Sequence, residues 1–364
     1  MKKVHDCNVA IVHDTLCYIG GAERVVMSLL KLFPQSDVYT LFLKPQMKKI
    51  LTPLMKGRLY SPSFSFNFIN PEFIKPFAAC YWESLDLSHY DLVISSSHSF
   101  SAKSVITQPS TIHVSYIHTP PRYLYTEFNE SQWLKKTPWK ILFSPVLSWL
   151  RLHDFVSAQR PDVLIANSKT VQQRIQKYYR RTSFVVHPPI EVKPDFSSQK
   201  KDYYLVVSRL VKQKGVDLAI NACNKLGKKL VVVGIGPELS RLKSLAGPTI
   251  EFKYFIEEQQ LQTYYSSAKA LLFCAQEEDF GLVAIEAMAQ GTPVISFKSG
   301  ANVETIIPNK TGIFLNNYST ESLCKTIIKF DKMSFDSKQI VAFAHQFSQT
   351  RFNKELTQII KQKL

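Results

Sequence analysis

Short apolar runs alternate along this chain with stretches whose apolar residues return every three or four positions. In the first half the runs at 9–13, 38–43, 113–118 and 163–166 read as strands. A further strand at 92–94 leads into a small polar exit, Ser95-Ser96-Ser97. Gly20-Gly21 opens a helix over 22–33, with Val25, Val26, Leu29, Leu30 and Phe33 on one face. Another helix is predicted from 168 to about 179. The second half repeats the alternation: strands at 203–208, 229–234, 269–274, 293–296 and 312–315, helices at 216–225, 237–245 and 257–268, and a helical tail over 337–363. Strand–helix alternation of this kind predicts α/β architecture with parallel, doubly wound sheets.

Between the halves, 188–201 is rich in Pro, Ser and charge and has little periodicity, which marks a linker. At 364 residues the chain exceeds the size at which one core keeps growing, so two domains are expected. The predicted division is 1–187, a linker at 188–201, 202–345, and a C-terminal helix at 346–364 that crosses back to the first domain. Two doubly wound halves imply a cleft with ligands at strand carboxyl ends.

The net charge of +16 (45 Lys and Arg against 29 Asp and Glu) suits an anionic partner such as a nucleotide diphosphate, nucleic acid or acidic lipid. The charges are dispersed, and no zinc finger, RNA-recognition or helix-turn-helix pattern is legible, which argues against nucleic acid. The cysteines Cys7, Cys17, Cys80, Cys223, Cys274 and Cys324 lack CxxC or zinc spacing, so a reduced cytosolic protein without a structural metal is expected. Polar residues interrupt any signal-like core near the N-terminus, and no apolar run is long enough to cross a membrane. The segment 133–152 mixes Trp133, Trp139 and Trp149 with Lys135, Lys136, Lys140 and Arg151. It fits either a membrane interface or a helix packed on the first domain, and Pro138 and Pro145 argue against one long helix.

The most informative stretch runs from Cys274 to Ala289: a buried strand, an acidic turn with Gly281, then Leu282 and Ile285 at helical spacing. A helix start offers unpaired N–H groups and a positive dipole end to a phosphate. Glu278 and Glu286 flank it, and an ionised carboxylate accepts hydrogen bonds from sugar or ribose hydroxyls. Phosphate plus hydroxyls is the chemistry of a nucleotide sugar. Arg209 and Lys214 flank the turn after the second half's first strand, where two cations could hold a diphosphate leaving group.

With these residues the chain resembles the retaining glycosyltransferases of family 4, which have the GT-B fold. The resemblance rests on Ser208-Arg209…Lys214-Gly215, on the run from Val233 to Glu238, and on Glu278-Asp279-Phe280-Gly281-Leu282…Glu286-Ala287. The stretch at 20–24 resembles that family's N-terminal glycine loop, and those at 91–98, 116–124 and 162–168 are similar to bacterial mannosyltransferase-like enzymes of surface polysaccharide synthesis. The resemblance implies that Arg209 and Lys214 bind the donor diphosphate, Glu286 the ribose, and Glu278 the transferred sugar. The backbone at Phe280, Gly281 and Leu282, beside Asp279, faces the phosphate, and Gly20 and Gly21 let the chain approach the donor. The resemblance also implies that His118 contacts the reacting sugar; His13 and His98, likewise at strand ends, are read as supporting it or as structural, and Glu277 is the alternative to Glu278.

The expected activity is transfer of a hexose, mannose from GDP-mannose first and UDP-linked sugars second, to a saccharide or lipid-linked glycan. No metal or other cofactor is expected, and the expected location is cytoplasmic, either free or peripheral on the anionic inner membrane face. A nucleotide-sugar epimerase of the same architecture and a basic nucleic-acid-binding protein are the alternatives. A dinucleotide oxidoreductase is disfavoured, because no G-x-G-x-x-G follows the first strand. The chain departs from the family at Cys274-Ala275, where Pro-Ser or Pro-Ala is common, at Lys212-Gln213, where a proline is often seen, and at Asn302, where a small apolar residue is usual.

Overall fold

The computed structural model describes residues 4–62, 74, 77–99, 101–125, 141, 144–191, 200–254 and 256–363. The chain divides into two compact units, Met1–Pro189 with Phe352–Leu364, and Ile190–Arg351. Each is built on its own all-parallel sheet.

The first unit's strands are β1 (Val9–His13), β2 (Asp37–Thr40), β3 (Leu59–Tyr60), β4 (Leu92–Ser97), β5 (Ile112–Ile117), β6 (Val163–Ala166) and β7 (Phe184–Val185). Their order is β3-β2-β1-β4-β5-β6-β7. β1 is buried along its whole length, as a strand covered on both faces must be. Its alternate residues serve opposite cores. Ile11 packs with Val25, Val26, Leu29 and Leu30 of the helix Gly21–Leu32. Ala10 and Val12 pack with Tyr39, Trp82 and Val93 on the other face. The C-terminal helix Gln349–Lys361 contributes Phe352, Leu356, Ile359 and Ile360, one helical stripe, to the first of these cores.

The second unit's strands are β8 (Tyr204–Val207), β9 (Leu230–Val233), β10 (Ile250–Lys253), β11 (Ala270–Phe273), β12 (Val294–Phe297) and β13 (Gly312–Leu315), ordered β10-β9-β8-β11-β12-β13. Leu272 and Ile295 face one core, with Ala219 and Cys223 of the helix Val216–Leu226. Leu271 and Val294 face the other, with Ile285 and Met288 of the helix Leu282–Ala289.

The structure corrects several boundaries. The serines 95–97 are not an exit from β4; the strand continues through all three, which are buried. β10 was not foreseen, nor was the helix Thr320–Phe330. The tail is two helices, Ser337–Ala344 and Gln349–Lys361, separated by the short turn His345–Phe347. Of the segment 133–152, residues 133–140, 142 and 143 lie outside the described residues, including Trp133, Trp139, Lys135, Lys136 and Lys140. From Ser144 on, the segment belongs to a helix, Ser144–Ser157, which contains Pro145.

That helix is inside out. Its buried residues are Asp154 and Ser157, while Val146, Trp149, Leu152 and Val156 are exposed. The Asp154 carboxylate pairs with the ammonium of Lys103, both nearly inaccessible, and accepts the Tyr125 hydroxyl at 3.0 Å. The Ser104 hydroxyl donates to Ser157 Oγ at 2.9 Å.

Candidate functional site

In a doubly wound sheet, ligands bind beyond the strand carboxyl ends where the strand order reverses. In the second unit that point lies between β8 and β11. β8 runs into Ser208 and Arg209, and β11 runs into the acidic loop. After β8 the chain makes a short turn, Lys212–Lys214, and enters the helix Val216–Leu226 through Gly215 at φ +60°. A side chain at Gly215 would collide with the Tyr318 hydroxyl and the Cys274 carbonyl. The Tyr318 hydroxyl donates to that carbonyl at 3.0 Å, a contact of the backbone and not of the Cys274 side chain.

This tight entry sets Lys214 against the acidic loop. Its ammonium donates to both oxygens of Glu278, at 3.0 and 2.8 Å. The pair is partly open to solvent, with side chains 28 % and 19 % exposed. The sequence assigns the two residues to different parts of a ligand; the structure joins them directly. Arg209 is exposed at the end of β8. Its neighbour Leu210 donates its N–H to Ile235 and accepts the N–H of Glu238 on its carbonyl, so the stretch from Val233 to Glu238 braces the loop.

The acidic loop is held from behind by residues 299–301. Ala301 N–H donates to the Glu278 carbonyl at 3.0 Å, and Glu277 N–H donates to Ser299 Oγ at 3.3 Å. Gly300 comes so close that a Cβ would sit 2.5 Å from the Glu278 oxygen. Asn302 is fully buried, and its amide donates to Ser296 Oγ at 2.9 Å, so this departure serves the fold.

Gly281, at φ +86°, caps the helix Leu282–Ala289. Phe280 is buried against Phe347, with ring centroids 5.6 Å apart, so its side chain belongs to the core. Asp279 beside it is part-buried. One turn into the helix, Glu286 accepts a hydrogen bond from the Tyr265 hydroxyl at 3.0 Å. Sequence reasoning missed Tyr265, which only the packing of the helix Glu258–Ser267 brings near.

The first unit reverses its strand order between β1 and β4. The expected residues Gly20, Gly21, His13, His98 and His118 gather there. Gly20 N–H donates to Glu23 Oε2 at 3.0 Å, and a Cβ on Gly20 would sit 2.8 Å from that oxygen. The Gly20 N–H is thus held by the Glu23 carboxylate at the start of the helix that begins at Gly21. The rings of His13, His98 and His118 lie 6.0–6.4 Å apart, centroid to centroid. Asp14, fully buried, accepts the backbone N–H groups of His98, Ser99 and Ala102, each at 2.7 Å, and so orders the loop after β4. Asp14 and the β4 serines were missed. The one signal was their position at strand ends.

Deeper in the sheet, Ser95 Oγ lies 2.8 Å from His113 Nε2 and donates to Ser115 Oγ. Burial, with help from Arg160 and Arg181, pushes His113 down from 6.5 to about 3. Burial, with His98 and His13 nearby, holds His118 well below the ordinary histidine range. Both rings take up a proton in the unfolded chain that the folded protein refuses. Their contribution to stability is therefore complete above pH 6.5 and is lost as pH falls from there toward the folded values. Each should cost about 1.4 kcal/mol per pH unit in that window. Urea titrations at a series of pH values from 7 to 4 should show this slope, and His113→Asn should reduce it. An unchanged slope in that variant would show that His113 does not carry it.

Among the described residues, no group of three or more His, Cys, Asp or Glu side chains is placed to hold a metal ion. No described helix is long and apolar enough to cross a membrane.

Two family models match the chain, nearly end to end: Glycosyltransferase Family 4 over residues 19–193 and Glycosyl transferases group 1 over residues 189–347. Fold and matches together define a glycosyltransferase of GT-B architecture. The chain belongs to glycosyltransferase family 4, and it is mannosyltransferase-like in its relatives. It is 27 % identical over 154 residues to the GDP-mannose-dependent alpha-(1-6)-phosphatidylinositol monomannoside mannosyltransferase of Mycobacterium tuberculosis, covering 38 % of this chain and 40 % of that one. It is 22 % identical over 431 aligned positions to the alpha-1,3/1,6-mannosyltransferase ALG2 of Dictyostelium discoideum, covering 99 % of each. Three of the curated relatives it matches are spanned over only 33–46 % of their length. Among solved structures, Anabaena HepE in complex with UDP-glucose superposes with a TM-score of 0.73 at 16 % identity, covering 97 % of this chain and 99 % of that one.

Proposed function

We propose that the protein transfers a hexose, mannose from GDP-mannose, to a saccharide or lipid-linked glycan acceptor with retention of configuration. The observation that carries this reading is the Lys214–Glu278 pair at the second unit's switch point, beside the start of the helix Leu282–Ala289. Arg209 and Lys214 take the donor diphosphate and offset its charge as the bond to the sugar breaks. Lys214 is then shared between the phosphate and Glu278, which turns its carboxylate to the sugar hydroxyls. Glu286, steadied by Tyr265, takes the ribose. His118 acts on the reacting sugar. No metal is assigned, since cations and a helix terminus are already in place. The mannosyltransferase names among the relatives support mannose, while the UDP complexes among the structural neighbours keep uridine donors as the second choice.

A thermal-shift panel of GDP-, UDP- and ADP-sugars tests the donor, because a ligand that binds only the folded state raises its melting temperature. Incubation with the donor that shifts most, in the presence of chelator, then tests the reaction. Nucleoside diphosphate released only with acceptor supports transfer; isomerised donor without release supports epimerisation instead. Glu286→Ala should weaken donor binding, and Glu278→Ala should lower the single-turnover rate. Equal losses in both steps for both variants would contradict the division of roles.

We place the enzyme at an anionic membrane surface. The first unit holds 25 Lys and Arg against 13 Asp and Glu, a net +12 of the total +16. It also carries the outward apolar side of the helix Ser144–Ser157. Binding to vesicles containing acidic lipid should be measurable at low salt, weaken as salt rises, and fall in Trp149→Ser/Leu152→Ser. Equal binding by that variant would remove the helix from the reading.

A further inference from the structure

We infer that Ser96 decides which nitrogen of the His118 imidazole carries a proton: its hydroxyl holds the ring as the Nδ1–H tautomer, so His118 meets its ligand as a hydrogen-bond donor at Nδ1. The catalytic consequence rests on the assignment of His118 to the reacting sugar; the tautomer does not.

The register of the sheet brings the three residues together. His13 on β1 pairs with Ser96 on β4, and Ser96 pairs with Tyr116 on β5. Side chains at paired positions of a parallel sheet share a face, and His118 follows Tyr116 by two. His13 Nδ1 lies 3.1 Å from the Ser96 carbonyl and 3.0 Å from its hydroxyl. A carbonyl oxygen only accepts, so Nδ1 of His13 bears a proton. A serine hydroxyl has one proton to give. A protonated Nδ1 of His13 cannot accept it, so that proton goes to the remaining described partner of the hydroxyl, His118 Nε2, at 2.8 Å. A neutral imidazole that accepts at Nε2 is protonated at Nδ1.

The surroundings keep the ring neutral. His118 is 8 % exposed and His13 fully buried. His98 at the end of β4 and His13 on β1 face the ring and oppose a positive charge on it, against a weaker pull from Asp14. The Tyr116 ring lies 5.1 Å away. Beyond His13, its Nε2 has no hydrogen bond among the described residues and stands 3.9 Å from Glu23 Oε1. The line Glu23–His13–Ser96–His118 thus crosses the switch point from the helix Gly21–Leu32 to the end of β5. A Nδ1–H donor fixed by sheet register suits an oxygen that gains negative charge or already holds lone pairs, and it does not suit the role of general base. Ser96 is therefore a positioning residue.

Imidazole ¹⁵N spectra of histidine-labelled protein test this, with the His118 signals assigned by their loss in His118→Gln. The wild type should show His118 as the Nδ1–H tautomer from pH 6 to 8, Ser96→Ala should lose that tautomer or mix it, and Ser96→Thr should keep it. A wild-type ring protonated at Nε2, or an unchanged tautomer in a folded Ser96→Ala, overturns the inference; the wild-type spectrum alone decides if that variant fails to fold. Transfer should fall about tenfold or more in Ser96→Ala with donor affinity unchanged, and return in Ser96→Thr. If the tautomer changes as expected while the rate does not, the inference stands and the assignment of His118 to the reacting sugar is wrong.

Discussion

Arg209→Ala and Lys214→Ala should each slow sugar transfer by about 10²–10³ while leaving the second unit folded. Both residues stand at the carboxyl end of β8, outside the apolar clusters that hold the unit together. The ion pair of Lys214 is partly solvated, and such pairs contribute about 0–1 kcal/mol to stability, so a folding defect is not expected. Lys214 does two things at once. It cancels charge on the diphosphate, and it keeps the Glu278 carboxylate from facing that diphosphate unneutralised. Lys214→Ala should therefore also weaken donor binding, more than Arg209→Ala does. Removing Glu278 as well should restore part of that affinity, a departure from additivity of about 0.5–3 kcal/mol. Donor titrations and single-turnover rates on the four proteins of the cycle measure this. Near wild-type transfer in both single variants would end the assignment. Strict additivity would show that the pair is not shared with the ligand.

The fold was largely legible because strands buried on both faces must be apolar throughout, and runs such as Val9–His13 and Val163–Ala166 show themselves without ambiguity. Errors fall where burial and hydrophobicity part company. β4 continues through Ser95, Ser96 and Ser97; the hydroxyls of Ser95 and Ser96 find partners in His13 of β1, His113 of β5 and His118 just beyond it, which a pattern of apolar residues does not reveal. β10 is an edge strand, partly exposed, and Ile250-Glu251-Phe252-Lys253 has too little apolar content to stand out. The helix Thr320–Phe330 does carry a sequence signal, in the Ser319 cap and in Leu323, Ile327 and Phe330 at helical spacing. In the candidate site, residue types and strand ends were readable from sequence, while contacts were not. Lys214 meets Glu278 across 64 positions because β8 and β11 are neighbours, and strand order is a tertiary fact.

The helix Ser144–Ser157 is held by polar groups, so its weakest point is a charge. Asp154→Ala should destabilise the first unit by about 3–5 kcal/mol, because it leaves the Lys103 ammonium buried without its carboxylate. Few alternatives exist for that ammonium: it lies 5.3 Å from the Tyr179 ring, and the helix turns its apolar side chains outward rather than toward it. Lys103→Met alone should cost a similar amount, for the converse reason. The double variant Lys103→Met/Asp154→Leu should recover most of the loss, since a buried pair and an apolar pair of like volume are often near equal in stability. Denaturant titrations of the four proteins give the coupling. If either single variant loses less than about 1 kcal/mol, the site admits water and the pair behaves like a surface one. If the double variant loses as much as the two singles combined, the polar contacts of Asp154 with Tyr125 and Ser101, and not the charge pair, hold the helix in place.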